Sequence, residues 1–118
     1  MGHAYENDIE SAGLYLLGLL KAETAVRYSR FYDGTDETQE DLIRGMGFDP
    51  EGEAYVPDCP EVFMDVAVGQ LEEGGVVRTE QLPELLADET NDYRIELTDE
   101  GREFLERGDR LVFRSVDL

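Results

Sequence analysis

Residues 93–108 read YRIELTDEGREFLERG. Ile95 and Leu97 alternate with polar neighbours, so an extended segment here has one apolar face, and a slip of one residue would turn that face to solvent. Thr98 is suited to cap a following helix. Asp99 and Glu100 fall in its first turn and Arg107 near its end, each sign matching the helix dipole. The stretch therefore predicts a strand, a capped turn and a helix.

Working upstream, EVFMDVAVGQLEEGG (61–75) sets Phe63, Val66, Ala67 and Leu71 at helical spacing. Pro60 suits the first turn and Gly74-Gly75 the termination. VVRT (76–79) and DYRIELT (92–98) then read as a pair of strands, rich in β-branched and apolar residues. EQLPELLADETN (80–91) between them is long for a hairpin loop, with LPELLADE suited to a short helix starting at Pro83.

Towards the start, IESAGLYLLGLLKAETAVRYSRF (9–31) has leucines at 14, 16, 17, 19 and 20 and no proline. It predicts one long helix, serving the core or dimerisation. DGTDETQED (33–41) reads as a loop in which Thr35 or Asp36 caps the next helix, and DLIRGMGF (41–48) as a short helix stopped at Gly47. DPEGEAYVPDCP (49–60) holds three of the four prolines and predicts an irregular connection. The tail RLVFRSVDL (110–118) alternates as an added strand would, Leu111 and Phe113 facing one way, Val112 and Arg114 the other.

The order helix, helix, helix, strand, strand, helix resembles the winged helix-turn-helix family, in particular its PadR-like and MarR-like regulators. The likeness is carried by VAVGQLEEGGVVRT (66–79), YRIELTDEGREFLERG (93–108) and, more loosely, DLIRGMGFDPEG (41–52). It implies an α+β winged helix-turn-helix fold: three or more helices, a small antiparallel β-wing and a C-terminal helix. The chain would form a single domain over 1–118, with the core of the likeness at 41–108, a wing insert at 80–91 and a possible extra strand at 110–118. EVFMDVAVGQLEE takes the place of the recognition helix.

By that resemblance the expected role is a small transcriptional regulator on double-stranded DNA, working as a homodimer through helix 9–31 and the tail strand, with Arg44, Gln70, Arg78 and Arg94 as contacts. Two departures bear on it. Residues 49–60 lengthen a turn that is short in the DNA-reading motif. The recognition helix offers Glu61, Asp65, Gln70, Glu72 and Glu73 as polar groups and no Arg or Lys, so Gln70 alone suits base reading. The alternative is a winged helix used for protein–protein interaction, or an acidic nucleic-acid mimic. Convergence of Arg27, Arg30, Arg44, Arg78 and Arg94 on one face would favour DNA.

Composition adds a habitat. The 118 residues carry 29 Asp and Glu against 10 Lys and Arg, a formal net charge of −19, with Lys21 the single lysine. An acidic, lysine-poor surface resembles that of cytoplasmic proteins from salt-in halophiles, where molar KCl screens self-repulsion. An acidic partner surface is the rival account. With one cysteine, Cys59, and one histidine, His3, neither an intramolecular disulfide nor a Cys/His zinc cluster can form.

The apolar run at 14–20 is too short to span a bilayer, so a cytoplasmic protein with no membrane association is expected. Neither acidic loop matches calcium-binding spacing, and no nucleophile elbow or phosphate-cradling glycine loop occurs. The reading is therefore non-enzymatic, without cofactor or metal. The bland readings are ion pairs for Arg78 and Arg94, core or interface packing for the aromatics of RYSRFYDG, and an inert Cys59 beside Asp58.

Overall fold

The computed structural model describes residues 3–32, 35–52, 54–81, 92–114 and 116. Among them the chain is α+β: helix α1 (His3–Glu23), strand β1 (Ala25–Arg27), a 3-10 turn (Tyr28–Arg30), α2 (Asp36–Gly45), α3 (Pro60–Glu73), β2 (Val77–Gln81), β3 (Tyr93–Leu97) and α4 (Asp99–Glu106). No helix among the described residues is long and apolar enough to cross a membrane.

Thr98 performs as its position predicts, accepting the Gly101 N–H at 2.9 Å to start α4. Its hydroxyl also donates to the Gly75 carbonyl at 2.5 Å, and its backbone N–H to the Val76 carbonyl at 3.0 Å, which ties the start of α4 to the residues leading into β2. Gly101 makes that approach possible, since a Cβ there would lie 2.1 Å from the Val76 oxygen. Pro60 opens α3. Gly75, at φ 77°, turns the chain from α3 towards β2 in a conformation that favours glycine. Thr35 caps α2 through Thr38 N–H, so that helix begins at Asp36, ahead of the expected 41. It ends at Gly45, with Gly47 in the left-handed region just beyond.

The long helix expected over 9–31 ends at Glu23. Thr24 closes the last turn onto the Leu20 carbonyl at 2.9 Å and then adopts φ 70°. That conformation costs a β-branched residue about 1–2 kcal/mol. Sheet pairing offsets the cost: the Thr24 carbonyl accepts Leu97 N–H at 2.9 Å, and Ala25–Arg27 run antiparallel to β3. The sheet has the order β1-β3-β2, antiparallel throughout, with Val26 opposite Ile95 and Thr79 opposite Ile95 on the other side.

The core fills the space between this sheet and the helices. Leu16 and Leu20 of α1, Leu42 of α2, Met64 and Leu71 of α3, and Ile95 of β3 are all almost fully buried in it. Of the five leucines of α1, Leu16, Leu17 and Leu20 are thus buried within the chain itself, and Leu14 is exposed.

The tail keeps the expected alternation but not the expected strand. Leu111 is half-buried, Phe113 buried and Val112 81% exposed, yet residues 109–114 join no ladder. They run back along the helices, and Phe113 seats its ring on Gly13 of α1, where a Cβ would lie 2.3 Å away. The helix suggested at LPELLADE, and all of the wing insert from 82 to 91, lie outside the described residues.

Candidate nucleic-acid interface

Strand alternation decides which side chains the sheet presents outward. Val26 and Ile95 are buried beneath it, so their neighbours Arg27, Arg94 and Glu96 face the other way, joined by Arg78 and Glu80 from β2. The register puts Arg27 directly opposite Arg94, Glu80 on the far side of Arg94, and Arg78 opposite Glu96. Arg30 follows in the 3-10 turn and pairs with Glu23 at the end of α1. Four of the nine arginines thus gather around one face.

Two acids organise that face. Asp92, 5% exposed, accepts Arg27 Nε and Nη2 on Oδ2 at 3.0 and 2.7 Å, while its Oδ1 accepts the backbone N–H groups of Ser29 and Tyr93, each at 2.9 Å. Burial pushes the Asp92 pKa up, but the hydrogen bonds from Ser29 and Arg27 together with the Arg27 charge outweigh it and hold the carboxyl below its ordinary value. Glu96 accepts Arg78 Nε and Nη2 at 3.1 and 2.9 Å and lies 3.4 Å from Arg94 Nη1. The Arg78 bonds lower its pKa, desolvation opposes them, and the charges of both arginines add to the lowering, for a net fall. Between β1 and the turn lies an open crevice of about 520 Å³, lined by Arg27, Arg30, Arg94 and Glu23 over a floor of Ala25 and Val26.

Of the four residues expected to touch DNA, the structure brings Arg78 and Arg94 together around Glu96. It does not bring in the other two. Arg44 stays on α2, 3.6 and 3.7 Å from Glu40 and Asp41 of its own helix.

Gln70 is committed to the tail. Its Nε2 donates to the Arg114 carbonyl at 2.8 Å and its Oε1 accepts the Arg114 N–H at 2.9 Å, so a side-chain amide pairs with a backbone as a neighbouring strand would. The Arg114 guanidinium adds a bond to Glu73 at 2.6 Å. This clamp occupies the one group on α3 suited to base reading.

The acids of α3 have structural partners too. Glu72 accepts Thr79 N–H and Oγ1–H at 3.2 and 2.6 Å, binding the helix to β2. Asp65 accepts the Tyr28 hydroxyl; burial raises its pKa, that bond lowers it, and the Glu61 charge raises it again, for a net rise. Tyr28 stacks on Tyr93 with ring centroids 4.8 Å apart. Both phenols are pushed up, first by burial and then, among other contributions, by the Asp65 charge. Glu61 Oε2 is buried with no hydrogen-bond partner among the described residues. With Phe31 buried as well, these aromatics of RYSRFYDG pack the fold, while Tyr32 remains exposed.

Arg27 and Arg30 are among the arginines whose convergence would favour DNA, but the helix expected over 9–31 hides the strand and turn that bring them to this face, and nothing in the sequence marks Asp92 as their anchor. The signal available was Val26, whose β-branched side chain favours extended backbone. Among the described residues no group of acids, His and Cys could hold a metal ion. No protein-family model, no curated protein and no solved structure matches the chain, so the fold and the candidate interface stand on its own residues.

Proposed function

We propose that the chain is a small winged-helix protein of the DNA-associated, regulatory class, adapted to high salt. One observation carries this reading. α3 passes through Gly74-Gly75 into β2, β2 pairs antiparallel with β3, and β3 passes through Thr98 into α4. That is the helix, wing and helix order on which the resemblance rests. The gathering of Arg27, Arg30, Arg78 and Arg94 on one face of a chain of net charge −19 supports it further.

A second reading, a winged helix that binds a protein partner, is favoured by α3 itself, which offers no cation and whose Gln70 amide holds the tail. Fluorescence anisotropy of labelled genomic fragments across a KCl series reaching molar concentrations separates the two. Under the DNA reading, saturable binding resists unrelated competitor DNA and survives high KCl. No binding at any salt at which the protein is folded overturns it and leaves the protein partner.

A further inference from the structure

We propose that the crevice between β1 and the 3-10 turn is a binding site for phosphate oxygens, and that their source is a nucleic-acid backbone contacted through the sheet rather than through α3. The second half of this inference rests on the proposed function.

The lining reverses the composition of the chain. Acids outnumber cations 29 to 10 overall, whereas among the described residues the crevice is lined by three arginines and one acid, Glu23. The arginines reach it from three directions, Arg27 from the edge strand, Arg94 from the central strand and Arg30 from the turn. A tetrahedral phosphate presents oxygens on several sides and can take donors from all three. A planar carboxylate is matched best by a single guanidinium fork.

Donors remain for such a ligand. Among the described residues, two nitrogens of Arg27, one of Arg30 and one of Arg94 are engaged, out of five N–H groups on each guanidinium. Arg27 is also oriented in advance, because buried Asp92 grips it and is itself held by two backbone N–H groups. Finally, Arg27 and Arg94 stand directly opposite each other across the ladder. Like charges in that position repel; Asp92 and Glu96 offset part of this repulsion at the sheet, and an anion above it offsets more.

The test uses an Arg30→Gln/Arg94→Gln double variant. Both side chains are 44% exposed, and Arg27 with its Asp92 anchor is left in place. Arg44→Gln, an exposed arginine on α2 outside the face, serves as the charge control. In the anisotropy titration the double variant should lose at least about tenfold in affinity, evenly across sequences. Its log–log salt slope should move upward by about 2 as two cation-releasing contacts disappear. The control should change less than about twofold.

Pyrophosphate alone, followed by its shift of the thermal midpoint, should stabilise the wild type and the control but not the double variant. DNA binding that is equal in the double variant and the control overturns the crevice while leaving the DNA reading intact. A pyrophosphate shift confined to proteins with Arg30 and Arg94, without DNA binding, keeps the phosphate site and overturns the nucleic-acid source. Neither response overturns both.

Discussion

α3 and the outer face of the sheet come from the same acid-rich chain and use their charges in opposite ways. On α3, Asp65 and Glu72 turn towards Tyr28 and Thr79 of the sheet side, while Glu73 and Gln70 hold Arg114 of the tail. The polar groups of that helix assemble the fold. On the sheet, Asp92 and Glu96 are fewer than the arginines they serve, and the guanidiniums of Arg78 and Arg94 share one carboxylate. Net charge therefore describes the whole surface poorly: acids that bind within the fold and arginines that share acids leave one face far less negative than its surroundings.

The docked tail carries a large packing contribution outside the helices and sheet. Phe113 is 4% exposed in the space over Gly13, so Phe113→Ala should cost roughly 3 kcal/mol, the low end for a buried aromatic because a segment outside helix and sheet can relax. Gly13→Ala should cost a similar amount, since its methyl would sit 2.3 Å from the ring. In the Phe113→Ala background the same change should become stabilising by up to about 1 kcal/mol, because alanine then only improves the helix. Urea unfolding in molar KCl reads the cycle, and a Phe113→Ala cost under about 1 kcal/mol would mean the tail is not docked. DNA affinity should survive in both single variants if the sheet is the binding face.

The sheet has its own weak point in Asp92. Asp92→Asn removes the charge that orients Arg27 and should cost about 2 kcal/mol near neutral pH. Because the folded-state pKa is lowered, this contribution is present above the unfolded value, about 3.9, and disappears as pH falls through the lower folded one. The gap between wild type and variant should therefore be full at pH 7 and shrink below about pH 4. A gap that holds constant down to pH 3 would assign the loss to packing instead of charge.

How far these features could be read in advance depended on whether their cause was local. Thr98, Pro60, Gly47 and Gly74-Gly75 act within a few residues of themselves, and the elements they start or stop lie where the sequence places them. β1 did not show because Ala22, Ala25, Val26 and Tyr28 continue the helical spacing. What ends α1 is the unpaired edge of β3, about seventy residues away along the chain. The tail alternated as a strand does, but its partner is the Gln70 side chain, which no strand signal announces. The arginine face was legible as a list of residues and not as a place, since Arg27 meets Arg94 only through that unforeseen pairing.

Smaller effects sharpen the contrast. Gln70→Ala removes two exposed hydrogen bonds and should cost about 1 kcal/mol, with faster hydrogen exchange at the Arg114 amide and unchanged pyrophosphate binding. An equal loss of pyrophosphate binding would join the two regions into one site.

The finest test is Glu96→Gln set beside Glu72→Gln. Both remove one negative charge, the first from the carboxylate that Arg78 and Arg94 share, the second from the bond between α3 and Thr79. If Glu96 competes with phosphate for those arginines, its neutral form releases donors and DNA affinity rises about two- to threefold, with little change in stability because the arginines are solvated. Glu72→Gln, which frees no arginine, should leave affinity within experimental scatter and loosen the contact of α3 with β2. A fall in affinity on Glu96→Gln would reverse the assignment: Glu96 would then hold Arg78 and Arg94 in their binding geometry, as Asp92 holds Arg27.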